Sequence, residues 1–289
     1  MIGESRKLAV LGSPIAHSKS PALHRAAYGV LGLGWSYEAI QISEEELRGF
    51  VESRDELWLG LSLTMPLKRA AIPLLDRSEE LVALTGSVNT IRLDTVAGGR
   101  VVSGYNTDIH GLAQSFRQAG MTALGAVQIL GGGATAASAI VAVSLLQASE
   151  VTVLVRDVSR ASGLVAVGES VGVSVSIMPI TALDSLPPAE LVISTLPGGT
   201  LIEHEFASTT IEHTILFDVA YDPWPSALAR SWNSAGGKVI SGIHMLINQA
   251  LIQIRLFVSG DAYTPLPREA EVVAAMRSAV GVESLWDNS

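Results

Sequence analysis

The sequence predicts an α/β protein of two domains, and three observations carry that prediction. Apolar strand-like runs alternate with helix signals through most of the chain, as parallel βαβ units with helices on both faces require. A glycine-rich turn, "GGGATA" (131–136), joins a β-rich run to an alanine-rich one. The length, 289 residues, is that of about two domains.

Each element has its own signal. "KLAVL" (7–11) reads as a strand; Ser20 and Pro21 read as a helix start, serine as N-cap and proline at the first helical position. "WSYEAIQI" (35–42) alternates like a strand, and "SEEE" (43–46) supplies a capping box. "WLGLSLT" (58–64) is strand-like and leads into a helix from Leu67 to Leu75. Two short strands, near 90–94 and 100–105, close this block. "AVQIL" (126–130) is a buried strand, "ATAASAIVAVSLLQA" (134–148) a helix of small residues, and "EVTVLV" (150–155) the next strand. "VSVSIM" (173–178), "LVIST" (191–195), "TILFDV" (214–219) and "KVIS" (238–241) continue the series. The last runs, "GIHMLINQALIQIRLFVSG" (242–260) and "PREAEVVAAMRSAV" (267–280), are helices with no strand between them. They are expected to pack back on the first block. That makes the first domain discontinuous, 1–107 with 243–289, around a second domain at 108–242.

Composition narrows the function. A net charge of −9 argues against nucleic acid and anionic membranes as partners, because both demand a basic footprint. The absence of cysteine removes disulfides, thiolate zinc sites and cysteine nucleophiles, and fits a reducing, cytoplasmic setting. The start, "MIGESRKLAVLGS", lacks the basic-then-apolar order of a signal peptide. No charged residue occurs from Gln118 to Ser149, a length that would span a membrane. The three consecutive glycines inside it, at 131–133, instead indicate a strand, a tight turn and a buried helix. No HxxxH metal spacing occurs, so no metal site is expected.

The glycine loop has the setting of a dinucleotide turn. Gly131 permits the tight turn, Gly133 permits close approach of a pyrophosphate, and Ala136 is the third small position. The following helix offers free N–H groups and the positive end of its dipole. At the end of the next strand, "VRDVSRA" (155–161), Arg156 and Arg160 suit a 2′-phosphate and favour NADP. Asp157 points the other way, since a carboxylate there suits the free ribose of NAD.

Three islands in the first block carry chemistry: "GSPIAHSKSP" (12–21), "SLTMPLK" (62–68) and "GSVNTIR…GYNTDIHG" (86–92, 104–111). All fall at strand ends, where open α/β sheets bind ligands. Lys68 and Asp108 are the pair able to manage a hydroxyl proton while a hydride moves. Taken singly, Lys68 reads as a solvated first-turn lysine and Asp108 as an N-cap; the pair together carries the case. Asn89, Asn106 and Thr64 suit a polyol, or equally act as structural caps. Ser20 is spoken for by the helix start, whereas Ser18 has no local duty.

In order, "SPIAHSKSP", "LTMPLK", "SVNT", "NTDIHG", the glycine loop, "VRDVSRA" and "GIHMLINQ" resemble the shikimate dehydrogenase family, over nearly the whole chain. "AYDPWPSAL" (220–228) is similar to its actinobacterial members. The resemblance implies an open α/β substrate domain and a Rossmann-type, doubly wound dinucleotide-binding domain. It implies NADP-linked, reversible reduction of 3-dehydroshikimate to shikimate in aromatic amino-acid biosynthesis, by a monomer or homodimer. By position it makes Ser18, Ser20, Thr64, Asn89, Asp108, Tyr221 and Gln249 substrate contacts, and Lys68 the base with Asp108 beside it. It makes Gly131, Gly132, Gly133, Ala134, Thr135, Arg156, Asp157, Arg160, Val219 and Gly242 cofactor contacts.

Three residues depart from the family pattern. Ser62 stands for an asparagine, which is expected to loosen the loop bearing Thr64 and Lys68. Ala137 stands for an arginine and Asp157 for a threonine, and these two keep an NAD-dependent quinate/shikimate dehydrogenase in view. A non-catalytic ligand sensor on the same scaffold is the reading of a different class. It would be expected to lose the lysine or the aspartate, and both are present.

Overall fold

Two six-stranded sheets organise the chain, one in each of two units. The structure, a computed structural model, describes residues 5–97, 99–204 and 206–284. One unit holds the described residues up to Asp108 together with Ile247–Glu283; the other holds Ile109–Leu246.

The first unit runs β1 (Lys7–Gly12), α1 (Ser20–Leu31), β2 (Ser36–Gln41), α2 (Glu44–Glu52), β3 (Trp58–Leu63), α3 (Leu67–Ala70), β4 (Arg77–Ser78), α4 (Glu80–Thr85), β5 (Thr90–Val96) and β6 (Gly99–Tyr105). Its sheet order is β2-β1-β3-β5-β6-β4. Strand β1 pairs in parallel with β2 on one side and β3 on the other, so the order reverses at β1 and β3. Beyond β3 the sheet turns antiparallel through the β5–β6 hairpin, and the short edge strand β4 pairs in parallel with β6. The core beneath is aliphatic, with Leu11, Leu61, Leu67 and Ile91 fully buried.

Two local expectations fail here. Helix α1 begins at Ser20 itself, which places Lys19 at the N-cap. The capping oxygen comes from Ser18, whose Oγ accepts the Ser20 N–H at 3.4 Å. The helix expected from Leu67 to Leu75 stops at Ala70 and gives way to a 3₁₀ turn, Ile72–Leu74. Pro73 sits inside that turn and has no N–H to continue an α-helix.

The second unit begins in α5 (Asp108–Gln118) and continues through β7 (Ala126–Leu130), α6 (Ala134–Ser144), β8 (Glu150–Val155), α7 (Gly163–Ser170), β9 (Ser174–Pro179), β10 (Leu191–Ser194), α8 (Ser208–His213), β11 (Ile215–Asp218), α9 (Ala227–Ser234) and β12 (Lys238–Ser241). Its sheet is parallel throughout, in the order β12-β11-β10-β7-β8-β9. Renumbered from β7, that is the doubly wound order 3-2-1-4-5-6, with its switch point between β7 and β10. Helix α6 is buried from Ala136 to Val143, which explains its lack of any polar face. It ends earlier than expected because Gln147 turns left-handed, at φ +63, and Ala148 N–H bonds back to the Val143 carbonyl. Among the described residues no helix is long and apolar enough to cross a membrane.

Helix α10 (Ile243–Ser259) carries the chain back into the first unit, where α11 (Glu269–Ala279) packs on α1. The two-sheet α/β class and the return of the C-terminal helix are as expected.

Candidate active site

The loops after β1 and β3 lie side by side at the first sheet's switch point. Ser13 N–H bonds the Met65 carbonyl at 2.9 Å, and Thr64 N–H bonds the Leu11 carbonyl at 2.9 Å. Gly12 makes this approach possible, since a Cβ there would lie 2.4 Å from Thr64 Cγ2. The loops bring "GSPIAHSKSP" and "LTMPLK" together. Ser18 accepts the Ser20 N–H, while the Ser20 and Thr64 hydroxyls bond no other protein group among the described residues. The local capping duty expected of Ser20 therefore falls to Ser18, because the helix starts one residue earlier than a Ser20 cap requires.

Lys68 opens onto the third island. Its carbonyl accepts the Val88 N–H at 2.9 Å, which ties α3 to the loop that carries Asn89 into β5. The Lys68 ammonium donates to Asp108 Oδ2 with both side chains largely buried, at 14% and 5% exposure. Asp108 does not cap its helix. Asn106 Oδ1 takes the Asp108 N–H at 3.2 Å, which frees the carboxylate for Lys68 and for Asn89 Nδ2 at 2.8 Å. Asn106 is fixed in turn, its side chain donating to Thr85 Oγ1 and its N–H to Glu79. Burial raises the Glu79 carboxyl above its ordinary range, against the opposing pull of that N–H.

Asn89 is held from every side. Its Oδ1 accepts Thr107 N–H at 2.9 Å and the Thr90 hydroxyl at 2.8 Å. Gln249 Oε1 lies 3.3 Å from both Asn89 Nδ2 and Thr107 Oγ1. Ser18, Ser20, Thr64, Lys68, Asn89, Asp108 and Gln249 thus belong to one unit, and Lys68, Asn89, Asp108 and Gln249 to one hydrogen-bonded cluster. Tyr221 lies in the other unit. Ser62, expected to loosen its loop, is 3% exposed and tied to Tyr37 and Gln253. A small hydroxyl fits there because two partners reach it.

In the second unit the glycine turn sits at the switch point. Gly131 has φ +102, and a Cβ there would lie 2.6 Å from Thr195 Oγ1. Thr195 in turn donates to the Leu130 carbonyl at 2.8 Å, locking β10 to the end of β7. Gly132 is needed for packing, since a Cβ would meet Val155 and Ala161 at 2.9 Å. Gly133 is different: a Cβ there would meet open space, just where α6 presents its N-terminus with Ala134 and Thr135. The residues at the end of β8, Arg156, Asp157 and Arg160, are exposed. Asp157 Oδ1 accepts both the N–H and the hydroxyl of Ser159, at 3.0 and 2.6 Å, and these bonds hold its carboxyl below the ordinary value. Gly242 lets the next helix start against β11, as a Cβ would lie 2.0 Å from the Val219 carbonyl. The loop carrying Val219 and Tyr221 is anchored by buried Asp218, which accepts from Ser226 Oγ and from Ala220 N–H. Burial raises the Asp218 carboxyl.

Sequence reading passed over Gly12, Thr107 and Gln253. Gln249 and Gln253 stand four apart in a mostly apolar helical run, which places both amides on one face. That spacing was the available signal.

A doubly wound sheet with a glycine turn at its switch point, on a chain whose other sheet carries a buried lysine–carboxylate pair, defines a class: a two-unit dehydrogenase that takes a dinucleotide. Comparison with known proteins narrows it. Residues 10–91 match the family model for the shikimate dehydrogenase substrate binding domain. The chain is 30% identical over 281 residues to a shikimate dehydrogenase (NADP(+)) of Methanosarcina acetivorans, covering 93% of this chain and 98% of that one. It is 36% identical to the solved shikimate dehydrogenase of Mycobacterium tuberculosis, with a TM-score of 0.78, covering 94% and 99% of the two chains. A Thermus thermophilus shikimate 5-dehydrogenase, solved with NADP(H) and shikimate, is 29% identical with a TM-score of 0.77, covering 95% and 99%. The chain belongs to the shikimate dehydrogenase family.

Proposed function

We propose that the chain interconverts shikimate and 3-dehydroshikimate with NADP, and that Lys68 and Asp108 handle the proton. The relatives' NADP-linked activity supports the reaction. The observation that carries the assignment of residues is the buried Lys68–Asp108 pair, steadied by Asn89. In reduction the Lys68 ammonium gives its proton to the forming C3 hydroxyl; in oxidation the pair takes it back. Asp108 and Asn89 hold Lys68 in place, and Asn89 and Gln249 supply amides for ring hydroxyls. Ser18, Ser20 and Thr64 bind the substrate as neutral donors, the serines at its carboxylate, and Tyr221 adds a further contact.

The dinucleotide fits the second unit. The left-handed Gly131, the open space at Gly133 and the free N–H groups of α6 form a cradle for phosphate. When bound, NADP supplies or accepts the hydride. Gly131, Gly132, Gly133, Ala134 and Thr135 would hold its pyrophosphate, and Val219 and Gly242 would line the rest. The commitment of Asp157 to Ser159 favours a 2′-phosphate, gripped by Arg156 and Arg160, over a free ribose. The reading places the protein in the cytoplasm, as a monomer or homodimer.

An absorbance assay of shikimate and quinate with each cofactor tests this. Fastest turnover is expected with shikimate and NADP⁺. Preference for quinate and NAD⁺ would replace the reading, and no turnover with any pair would leave a ligand sensor. Removing both Arg156 and Arg160 should raise the KM for NADP⁺ about tenfold, the equivalent of roughly 1.4 kcal/mol, and leave that for NAD⁺ in place.

A further inference from the structure

Behind Asn89 runs a chain of buried polar groups that the proposed chemistry does not use. Tyr37 Oη donates to Ser62 Oγ at 2.7 Å, and Ser62 Oγ donates to Gln253 Oε1 at 2.9 Å. Gln253 Nε2 donates to Thr90 Oγ1 at 2.9 Å, and Thr90 Oγ1 donates to Asn89 Oδ1 at 2.8 Å. Asn89 Nδ2 then donates to Asp108. Tyr37, Ser62, Gln253, Thr90, Asn89 and Asp108 are all 3% exposed or less.

The direction of this chain is fixed at Gln253. Its carbonyl receives two donors, Ser62 Oγ and His24 Nε2, the latter at 3.2 Å. The His24 tautomer that matches this orientation of Gln253 carries its proton on Nε2 and accepts the Tyr28 hydroxyl at Nδ1, 3.1 Å away. Burial depresses the His24 ring to about 3, so it stays neutral, with a single N–H. Flipping the Gln253 amide would set its NH₂ against both of these donors. It would also set its carbonyl against the Asn89 backbone carbonyl, which Nε2 now faces at 3.4 Å. Every donor along the chain therefore points toward Asp108, and such aligned bonds polarise one another.

We propose that Gln253 is a positioning residue for the Lys68–Asp108 pair, acting through Thr90 and Asn89 and itself aligned by Tyr37, Ser62 and His24. The role rests on the functional reading above, in which that pair moves the proton. The amide sets the Thr90 hydroxyl, and the hydroxyl holds Asn89 with its NH₂ on the carboxylate. Asp108 then presents a single, fixed oxygen to Lys68.

The test uses Gln253→Met, which keeps length and apolar bulk, and Thr90→Val, which keeps shape and cuts the same link. Each should lower kcat for shikimate oxidation about tenfold with the KM for NADP⁺ unchanged, and Thr90→Ser should restore kcat to within about twofold. The Asn89 side-chain NH₂, followed by NMR in ¹⁵N-labelled protein without substrate, should exchange with solvent about tenfold faster in Gln253→Met and Thr90→Val. Melting temperatures establish that the variants fold; should Gln253→Met fail to, the isosteric Thr90→Val decides. Folded variants with unchanged kcat and unchanged Asn89 exchange would overturn the proposal and leave Gln253 as packing. Should the wild-type protein oxidise no shikimate, the functional reading fails by itself, and the Asn89 exchange still decides whether Gln253 holds the amide.

Discussion

The turns after β1 and β7 occupy equivalent places, each at the switch point of its own sheet. Each begins with a glycine whose missing Cβ makes room for a threonine on the adjacent loop, Thr64 for Gly12 and Thr195 for Gly131. From there they diverge. The turn after β1 keeps ordinary backbone geometry at its glycine and presents side-chain hydroxyls, with a lysine and a carboxylate near by. The turn after β7 presents backbone, through a left-handed glycine, an open-faced Gly133 and a helix N-terminus. In the function proposed, one site works through functional groups and the other through main chain. Truncating a side chain should therefore injure the first, and adding a methyl group should injure the second.

The largest effect expected is on the side-chain site. Lys68→Ala should lower kcat about a thousandfold, within the range general acid–base catalysis supplies, with shikimate still bound. Near-normal turnover with unchanged substrate binding would remove Lys68 from proton transfer.

The main-chain site should respond to single methyl groups in two different ways. Gly131→Ala forces a side chain into φ +102 and onto Thr195, at a cost of about 1–3 kcal/mol, so both the melting temperature and NADP⁺ affinity should fall. Gly133→Ala meets nothing, so melting should stay near wild type while the KM for NADP⁺ rises about tenfold. Equal melting losses in the two variants would mean that Gly133 serves the fold and not a ligand.

This contrast also bears on what the sequence made legible. Strands β7, β8 and β12 were readable to the residue, because each is a short apolar run bounded by turn signals. The glycine turn was readable because its parts are consecutive. The cluster in the first unit was legible only as scattered candidates. Lys68 and Asp108 are 40 residues apart and Ser62 and Gln253 are 191, and no local pattern joins such pairs. Sheet order brings them together. Cap assignment failed at Ser20 for a different reason: "SKSP" offers two serines, and only backbone geometry chooses between them.

Acid should separate the two regions next. Helix α1, which follows the first turn, carries buried His24; helix α6, which follows the second, has no ionisable residue. The unfolded imidazole binds a proton below about pH 6.5, whereas the folded ring stays neutral down to about 3. The contribution of His24 is thus fully present above pH 6.5 and falls as pH drops through that window. At pH 5 the loss is about 2 kcal/mol. Hydrogen exchange at pH 5 should show α1 amides losing protection ahead of those in α6, and His24→Gln should flatten the difference. Equal loss in both helices would mean that the acid response lies elsewhere.

The smallest effect expected is the most discriminating for the hydroxyl turn. Ser18 has two duties in this reading, the long bond to Ser20 N–H and a contact to the substrate. Ser20 has only the second. A neutral hydrogen bond is worth about 0.5–1.5 kcal/mol, and one of 3.4 Å in a half-buried turn belongs at the low end. Ser18→Ala should therefore lower stability by about 0.5 kcal/mol and raise the KM for shikimate a few-fold, more than that for NADP⁺. Ser20→Ala should raise the shikimate KM by a similar factor and leave stability unchanged. If Ser20→Ala also destabilised the fold, its hydroxyl would be a cap after all. If neither variant moved the shikimate KM, the turn would bind through its backbone, and the two switch points would work alike.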